Sequence, residues 1–305
     1  MDLPNLGTNP ELDDIMQRAR DLDIEENLLD LAMYGFTVVA PDKMGTADLV
    51  PRLRDAILGV YERRSGHKID DWQTYDGKIE KFQSWGWLLE DEAFLEAIHN
   101  PVYQTIGQFL TGKSGFLAGA AVILKSQQQE FDLPLHSDSH GVPPPWPSFA
   151  TYANLSWLLT DYLSAEDGPT VLVPGSQRFG RMPRGDEAEW WVENAPVAPI
   201  SLTGKAGSLA IWHGSLWHGS RPRTTEGMRI TLPFVYARSY MQPIHSWTQA
   251  LAENDNARWL EKYPELSKVL GLWHPYPTDR DGPEVPQERG EDTMHMMGVG
   301  DNIYA

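Results

Sequence analysis

The chain has 305 residues, 41% of them hydrophobic, with 12 tryptophans and a formal net charge of −18. This length and apolar content can build a sizeable core in one domain, whereas the negative charge disfavours nucleic acid and anionic membranes as partners. The sequence has no cysteine, which excludes disulfides, thiolate metal ligands and a cysteine nucleophile, and fits a reducing compartment.

Targeting segments are not evident in the sequence. The amino terminus has no basic stretch followed by an apolar run, and no apolar run is long enough to span a membrane. We therefore expect a cytoplasmic protein with a single domain over residues 1–305. Its expected partner is a small molecule, and a homodimer is compatible with the sequence.

Residues 1–115 are predicted to be mainly helical. Apolar residues recur at helical spacing over residues 24–33 and 47–64, and a glycine follows each run, at Gly35 and Gly66. Residues 36–40 between them are typical of a short strand ending at a proline. A helix pair is expected over residues 91–110, interrupted near Asn100 and Pro101.

Residues 116–240 are predicted to be mainly β. Short apolar runs bounded by Gly, Pro, Asp or Ser occur at 118–124, 151–159, 169–173, 208–212 and 229–237. This pattern indicates a sandwich or barrel rather than alternating βαβ units. The proline-rich stretch 142–147 is expected to form a surface loop. Residues 241–305 are predicted to form one helix over 256–270 and a polar tail from His274.

The pair His136 and Asp138 is the first candidate metal motif. Side chains alternate along an extended segment, so both residues would lie on the same side and reach one ion. A chain with nine histidines also contains such a pair by chance, so the motif alone is weak. His140 is a competing ligand in the same loop and is interpreted as a pocket residue.

A third ligand must come from the doubled Trp-His-Gly-Ser sequence at 212–215 and 217–220. Its two candidates, His213 and His218, are an odd number of residues apart and would face opposite sides of a regular strand. Two histidines and one carboxylate on one face of a metal suit non-haem Fe(II) that activates O₂.

Arg229 favours His218 as the third ligand. A hairpin turning at residues 223–227 could place His218 and Arg229 on adjacent strands, both pointing inward. An arginine there could hold the far carboxylate of a 2-oxo acid cosubstrate. It could instead be an ordinary surface residue, but residues 230–235 read as buried, so a charge at their start needs a partner.

The segment 167–176 between these motifs reads Asp-Gly-Pro-Thr-Val-Leu-Val-Pro-Gly-Ser, a strand with a turn at each end. Thr170 and Trp157 are candidates for pointing into the site. Core packing is at least as good an interpretation of Trp157.

In this order, His136-x-Asp138, the 167–176 segment, Trp217-His218-Gly219-Ser220 and Arg229 resemble the phytanoyl-CoA dioxygenase family over residues 118–237. The resemblance implies a mainly β fold with flanking helices (α+β), whose core is a double-stranded β-helix, a jelly roll related to the cupins. It implies cosubstrate 2-oxoglutarate and O₂.

The resemblance also assigns residues. It implies His136, Asp138 and His218 as Fe(II) ligands. Arg229 would hold the 2-oxoglutarate C5 carboxylate, assisted by Ser220 and Thr170. Gln177 departs from the family, where many members carry histidine. Asp138 is present, which argues against a halogenase.

The expected reaction is oxidation, most simply hydroxylation, of a C–H bond in a mostly apolar small molecule, with release of succinate and CO₂. Aromatic residues expected around the cavity mouth favour an apolar substrate, although core packing is the better interpretation of most of them; they are Phe82, Trp85, Trp87, Trp146 and Tyr240. Candidate polar anchors are His140, Gln127 and Arg238. The alternatives are a cupin-like isomerase or hydrolase that uses no 2-oxoglutarate, and a non-catalytic binding barrel.

Overall fold

A computed structural model of the chain describes residues 10–79, 83–128 and 132–272, with the backbone alone at positions 10, 11, 84 and 140. Phe82 and the polar tail expected from His274 lie outside the described residues. Among the helices described, none is long and apolar enough to cross a membrane.

Helices dominate the first third of the described chain and return after the β core. They are α1 (Pro10–Asp21), α2 (Glu25–Tyr34), α3 (Pro41–Met44), α4 (Leu49–Ser65), α5 (Glu92–Ile98), α6 (Pro101–Thr111), α7 (Trp247–Ala252), α8 (Arg258–Lys262) and α9 (Leu266–Val269). Short 3₁₀ turns lie at Leu88–Glu90, Asp138–Gly141, Ala165–Asp167, Ser176–Phe179 and Gly185–Glu187.

The predicted helix ends are confirmed by their capping. Gly35 ends α2 with a left-handed φ of 83°, and its N–H bonds the carbonyl of Leu31. The Asn100 side chain accepts from the amides of Val102 and Tyr103 and starts α6. This cap and the proline after it separate α5 from α6.

One predicted helix is wrong in its extent. Residues 256–270 form two short helices, α8 and α9, rather than one. Pro264 follows α8, and the preceding Tyr263 has φ −125° and ψ 81°. A proline disfavours helical backbone at the residue before it, so the apolar periodicity continues while the helix does not.

The strands form two antiparallel sheets. They are β1 (Phe36–Val39), β2 (Gln83–Trp85), β3 (Phe116–Lys125), β4 (Leu133–His136), β5 (Tyr152–Leu158), β6 (Thr170–Leu172), β7 (Ile200–Ser201), β8 (Leu209–His213), β9 (His218–Ser220) and β10 (Arg229–Ala237). The major sheet has the order β1-β8-β5-β10-β3-β2, and the minor sheet has the order β4-β9-β6-β7.

The two faces of the major sheet have different roles. Leu155, Trp157 and Phe234 point to one face and belong to the main core with the helices. Their neighbours Asn154 and Ser156 point to the other face and line a cavity shared with the minor sheet. This two-sheet arrangement with helices on the outer face is the double-stranded β-helix that the sequence predicted.

Candidate active site

The cavity between the two sheets, called here the intersheet cavity, has a volume of about 440 Å³. Strands β2, β3, β5, β8 and β10 of the major sheet and β4, β6 and β9 of the minor sheet contribute its lining. Most of the residues that line the cavity therefore lie on strands, so the pairing of the strands positions their side chains more rigidly than long loops would.

Three of the predicted site residues meet at one point of this wall. His136 ends β4, Asp138 begins the following 3₁₀ turn, and His218 begins β9 opposite His136. One ligand atom from each lies within 4.8 Å of the other two. His218 Nε2 is 3.4 Å from Asp138 Oδ2. Three donors at this spacing can share one metal ion, and the donor set suits Fe(II).

Hydrogen bonds fix which nitrogen each histidine offers. His136 Nδ1 donates to the Pro134 carbonyl at 2.9 Å, and His218 Nδ1 donates to the Leu216 carbonyl at 3.0 Å. Both rings therefore present an unprotonated Nε2 to the cavity. Burial lowers the pKa of His218 to about 4, so near neutral pH the ring is in the uncharged form that binds metal.

The rival histidine lies on the other side of the major sheet. His213 ends β8 opposite Ala153, and its Nδ1 accepts from the Ser215 amide at 3.0 Å. It does not line the intersheet cavity. The chain passes from the major sheet to the minor sheet between the two histidines, and it is His218, not His213, that meets the two other predicted ligands.

Arg229 begins β10 and is 2% exposed. Its Nη1 donates to the Gly168 carbonyl and, at 3.2 Å, to Ser220 Oγ. Its guanidinium also lies 5.0 Å from the centre of the Tyr162 ring. Among the residues that the structure describes, no carboxylate lies within ion-pair distance of Arg229, whereas Arg223, which is buried at 8% exposed, is 3.6 Å from Asp167.

The predicted hairpin between His218 and Arg229 is wrong. β9 belongs to the minor sheet and β10 to the major sheet, so the two strands do not pair. Arg229 instead reaches across the cavity to Ser220. Both residues still line the cavity, because the chain crosses from one sheet to the other between residues 220 and 229.

Lys125 is a site residue that the sequence analysis missed. It ends β3 directly opposite Arg229, is 2% exposed, and donates to Ser220 Oγ at 2.6 Å. Burial, together with the charge of Arg229, lowers the pKa of Lys125 to about 6. The available signal was a lysine that closes a strand whose preceding residues are almost all apolar.

Of the two other residues predicted to contact a cofactor, Thr170 and Trp157, one lines the cavity and the other does not. Thr170 lines the cavity and lies opposite Ser220 in the β6–β9 ladder. Trp157 does not: it is fully buried between Leu209 and Leu232 in the main core. The prediction that Trp157 contacts a cofactor is wrong, because alternation along β5 turns it to the helical side.

Two of the predicted polar anchors, Gln127 and Arg238, and the predicted aromatic contact Trp146 do not line the cavity. Trp146 Nε1 donates to the Val142 carbonyl, Gln127 Nε2 to the Thr224 carbonyl, and Arg238 Nε to the Ala150 carbonyl. These three side chains fasten loops, so their assignment as substrate contacts is wrong. The side chain of His140 lies outside the described residues.

Of the aromatic residues expected at the mouth, Trp85 lines the cavity. Trp87 is 2% exposed in the main core, and Tyr240 is exposed but does not line the cavity.

Comparison with known proteins agrees with this geometry. The phytanoyl-CoA dioxygenase (PhyH) family profile matches residues 33–231. A search of curated protein sequences found no significant match.

Solved structures share the fold at low identity. The chain is 21% identical to EvdMO1, with 70% of this chain and 49% of that chain covered and a TM-score of 0.54, so the match spans about half of EvdMO1. It is 16% identical to the non-haem α-ketoglutarate-dependent carbocyclase SnoK from nogalamycin biosynthesis, with 74% and 89% covered and a TM-score of 0.57.

A third structure carries ligands. HygX from Streptomyces hygroscopicus, with nickel and 2-oxoglutarate bound, is 16% identical to this chain, with 72% and 89% covered and a TM-score of 0.56. At such identities the likeness shows the fold. The family profile covers more than half of the chain, and the protein therefore belongs to the phytanoyl-CoA dioxygenase family of oxygenases that use Fe(II), 2-oxoglutarate and O₂.

Proposed function

We propose that His136, Asp138 and His218 bind Fe(II), that Arg229, Lys125, Ser220 and Thr170 bind 2-oxoglutarate, and that the enzyme hydroxylates a C–H bond of a mostly apolar small molecule. The substrate and 2-oxoglutarate would each take one oxygen atom from O₂, giving an alcohol and succinate with release of CO₂.

The buried guanidinium of Arg229 carries this proposal. Burying an unpaired charge is costly, and no described carboxylate compensates it. Its planar fork matches a carboxylate, and Lys125 Nζ shares the Ser220 hydroxyl with it. A dianionic cosubstrate with one end at the metal and the other at Arg229 would supply the missing countercharge. A metal isomerase or hydrolase without such a cosubstrate would leave Arg229 uncompensated.

The protein's part in the reaction is to hold and orient. The two Nε2 atoms and the Asp138 carboxylate line one cavity and would hold the metal together. Bound iron would supply O₂ activation and the oxidation of the substrate. Asn154, which donates to Asp138 Oδ2, would keep the carboxylate oriented.

The apolar substrate is supported by the cavity wall beyond the metal. Trp85, Leu133, Val235 and Ile244 line it there, and such surfaces bind ligands largely by removing apolar area from water.

Matched arginine variants test the cosubstrate assignment. Arg229→Gln should weaken 2-oxoglutarate binding about 100-fold, because the variant loses the paired, charge-assisted hydrogen bonds between the guanidinium and the carboxylate. Arg223→Gln removes a second buried arginine, which has Asp167 as its partner, and it should leave 2-oxoglutarate affinity within about twofold. Binding is measured by calorimetry with Fe(II) present, and succinate release with O₂ consumption reports turnover.

Thermal unfolding of both variants separates folding defects from binding defects. Equal loss of 2-oxoglutarate affinity in the two variants would contradict the assignment of Arg229. Turnover of a substrate without 2-oxoglutarate would favour the isomerase or hydrolase alternative.

A further inference from the structure

The two cationic side chains among the described lining residues of the intersheet cavity, Lys125 and Arg229, lie at its buried end. The Asp138 side chain, which also lines the cavity, is half-buried. Lys125 and Arg229 are each 2% exposed, whereas Trp85 is 39% and Ile244 is 49% exposed. The exposed part of the wall is therefore formed by large apolar groups together with the uncharged Gln83, and the buried end carries the two cations already assigned to the cosubstrate.

Trp85 and Ile244 pack over a glycine of β3. A Cβ added to Gly119 would lie 2.9 Å from Trp85 Cζ3 and 3.2 Å from Ile244 Cβ. Gly119 does not have a positive φ, so its backbone does not require glycine there. The glycine instead provides the space in which the indole lies against the strand.

Hydrogen bonds fix the backbone on both sides of this wall. Arg64 donates to the carbonyls of Trp85 and Gly86, each at 2.9 Å. The Ile244 amide donates to the Ala118 carbonyl at 2.8 Å. The wall is thus anchored to α4 on one side and to β3 on the other. It presents a pre-formed apolar surface, which binds a ligand at a low cost in ordering.

We propose that the wall formed by Trp85 and Ile244 over Gly119 binds the flat face of an uncharged ring-bearing substrate. This inference rests on the proposed function, because it assigns both cations of the cavity to 2-oxoglutarate. An indole face provides a large rigid contact for ring systems. No described lining residue at the mouth offers a cation for a phosphate or carboxylate, so acyl-CoA thioesters and free carboxylic acids are poor substrates.

The test uses binding of defined probes to the Fe(II)–2-oxoglutarate complex. The probes are a panel of neutral fused-ring ketones, a linear fatty acid and its CoA thioester. Perturbation of the iron–2-oxoglutarate charge-transfer absorption reports binding at the metal, and calorimetry without metal reports binding to the wall alone. Neutral fused-ring probes should bind the wild-type enzyme at least about tenfold more tightly than the charged linear ones.

Four variants locate the contact. Trp85→Ala should weaken binding of the fused-ring probes about tenfold, because the variant loses one aromatic contact and the apolar area that this contact buries. Gly119→Ala should weaken it similarly, because the new methyl displaces the indole. Gly119→Ala combined with Trp85→Ala should be no weaker than Trp85→Ala alone. Gly141→Ala is the matched control, since Gly141 also lines the cavity but an added Cβ would meet nothing within 4 Å.

Each failure has its own meaning. If the charge-transfer absorption forms but the fused-ring probes fail to perturb it, or bind Trp85→Ala as well as wild type, the substrate inference is overturned while the proposed function stands. If the absorption does not form at all, the proposed function fails, and calorimetry without metal still decides whether the wall prefers neutral rings. Tighter binding of the CoA thioester would also overturn the inference.

Discussion

Asn154 on β5 donates from Nδ2 to Oδ2 of Asp138 at 2.5 Å, and so ties the predicted metal carboxylate to the major sheet. His136 and His218 both belong to the minor sheet. The three predicted ligands are therefore positioned by both sheets. The hydrogen bond from Asn154 orients the Asp138 carboxylate relative to the two histidines.

Asn154→Ala should weaken Fe(II) binding by about 10- to 100-fold, because the freed carboxylate must be ordered by the metal itself. Anaerobic metal titration measures this directly. The control is Asn27→Ala, which loses a bond to Thr37 on the outer side of β1 and should bind metal normally. Unchanged affinity in Asn154→Ala would show that Asp138 needs no orienting bond.

The two neighbouring histidines should respond differently to truncation. His218→Ala removes one of three proposed donors and should abolish stable Fe(II) binding. His213→Ala leaves the Ser215 amide without its acceptor and should lower stability by about 1–3 kcal/mol with metal binding retained. Metal titration and chemical denaturation of both variants provide the comparison. If His213→Ala loses metal binding and His218→Ala retains it, the third ligand is His213 and not His218.

Lys125 should make stability depend on pH in the absence of 2-oxoglutarate. Its pKa in the folded protein is about 6, against the ordinary lysine value of 10.5, so between these values the unfolded chain binds one more proton. The contribution of Lys125 to stability therefore rises with pH from about 6 toward 10 and is least favourable below pH 6. Lys125→Met should remove this part of the slope, measured by denaturation between pH 6 and 9.

The same amine should take up a proton when 2-oxoglutarate binds at pH 7.5, because a nearby carboxylate favours its charged form. Calorimetry in buffers of different ionisation enthalpy measures this uptake. Lys125→Met should show none and should bind 2-oxoglutarate more weakly. Equal proton uptake in the variant would place the titrating group elsewhere.

Trp157 and Thr170 should separate stability from cosubstrate binding. Trp157→Phe shrinks a fully buried core residue and should cost roughly 1–3 kcal/mol of unfolding free energy, with 2-oxoglutarate affinity unchanged. Thr170→Val keeps the shape of a cavity-lining side chain but loses the hydroxyl, and should weaken 2-oxoglutarate with little change in stability. The reverse pattern would restore Trp157 as a cofactor contact.

Local chemistry determined much of this protein from its sequence. Gly35, Asn100 and Pro101 set helix boundaries through backbone conformation and capping, which depend on a few neighbouring residues. The motif order around His136, Asp138, His218 and Arg229 indicated the family and its cofactors, and the family profile confirms this. The metal and cosubstrate roles of the individual residues remain predictions.

Tertiary structure decided which side chains share the cavity. Side chains alternate along β5, so Trp157 lies in the main core and Asn154 lies at the predicted metal site. The sequence predicts this alternation, but it does not predict which face of the strand lines the cavity. The register between β3 and β10 places Lys125 opposite Arg229. The two residues are far apart in the sequence, so no local sequence pattern predicts that they meet. The cavity arises only when two sheets pack face to face, because its walls come from segments that meet through long-range pairing.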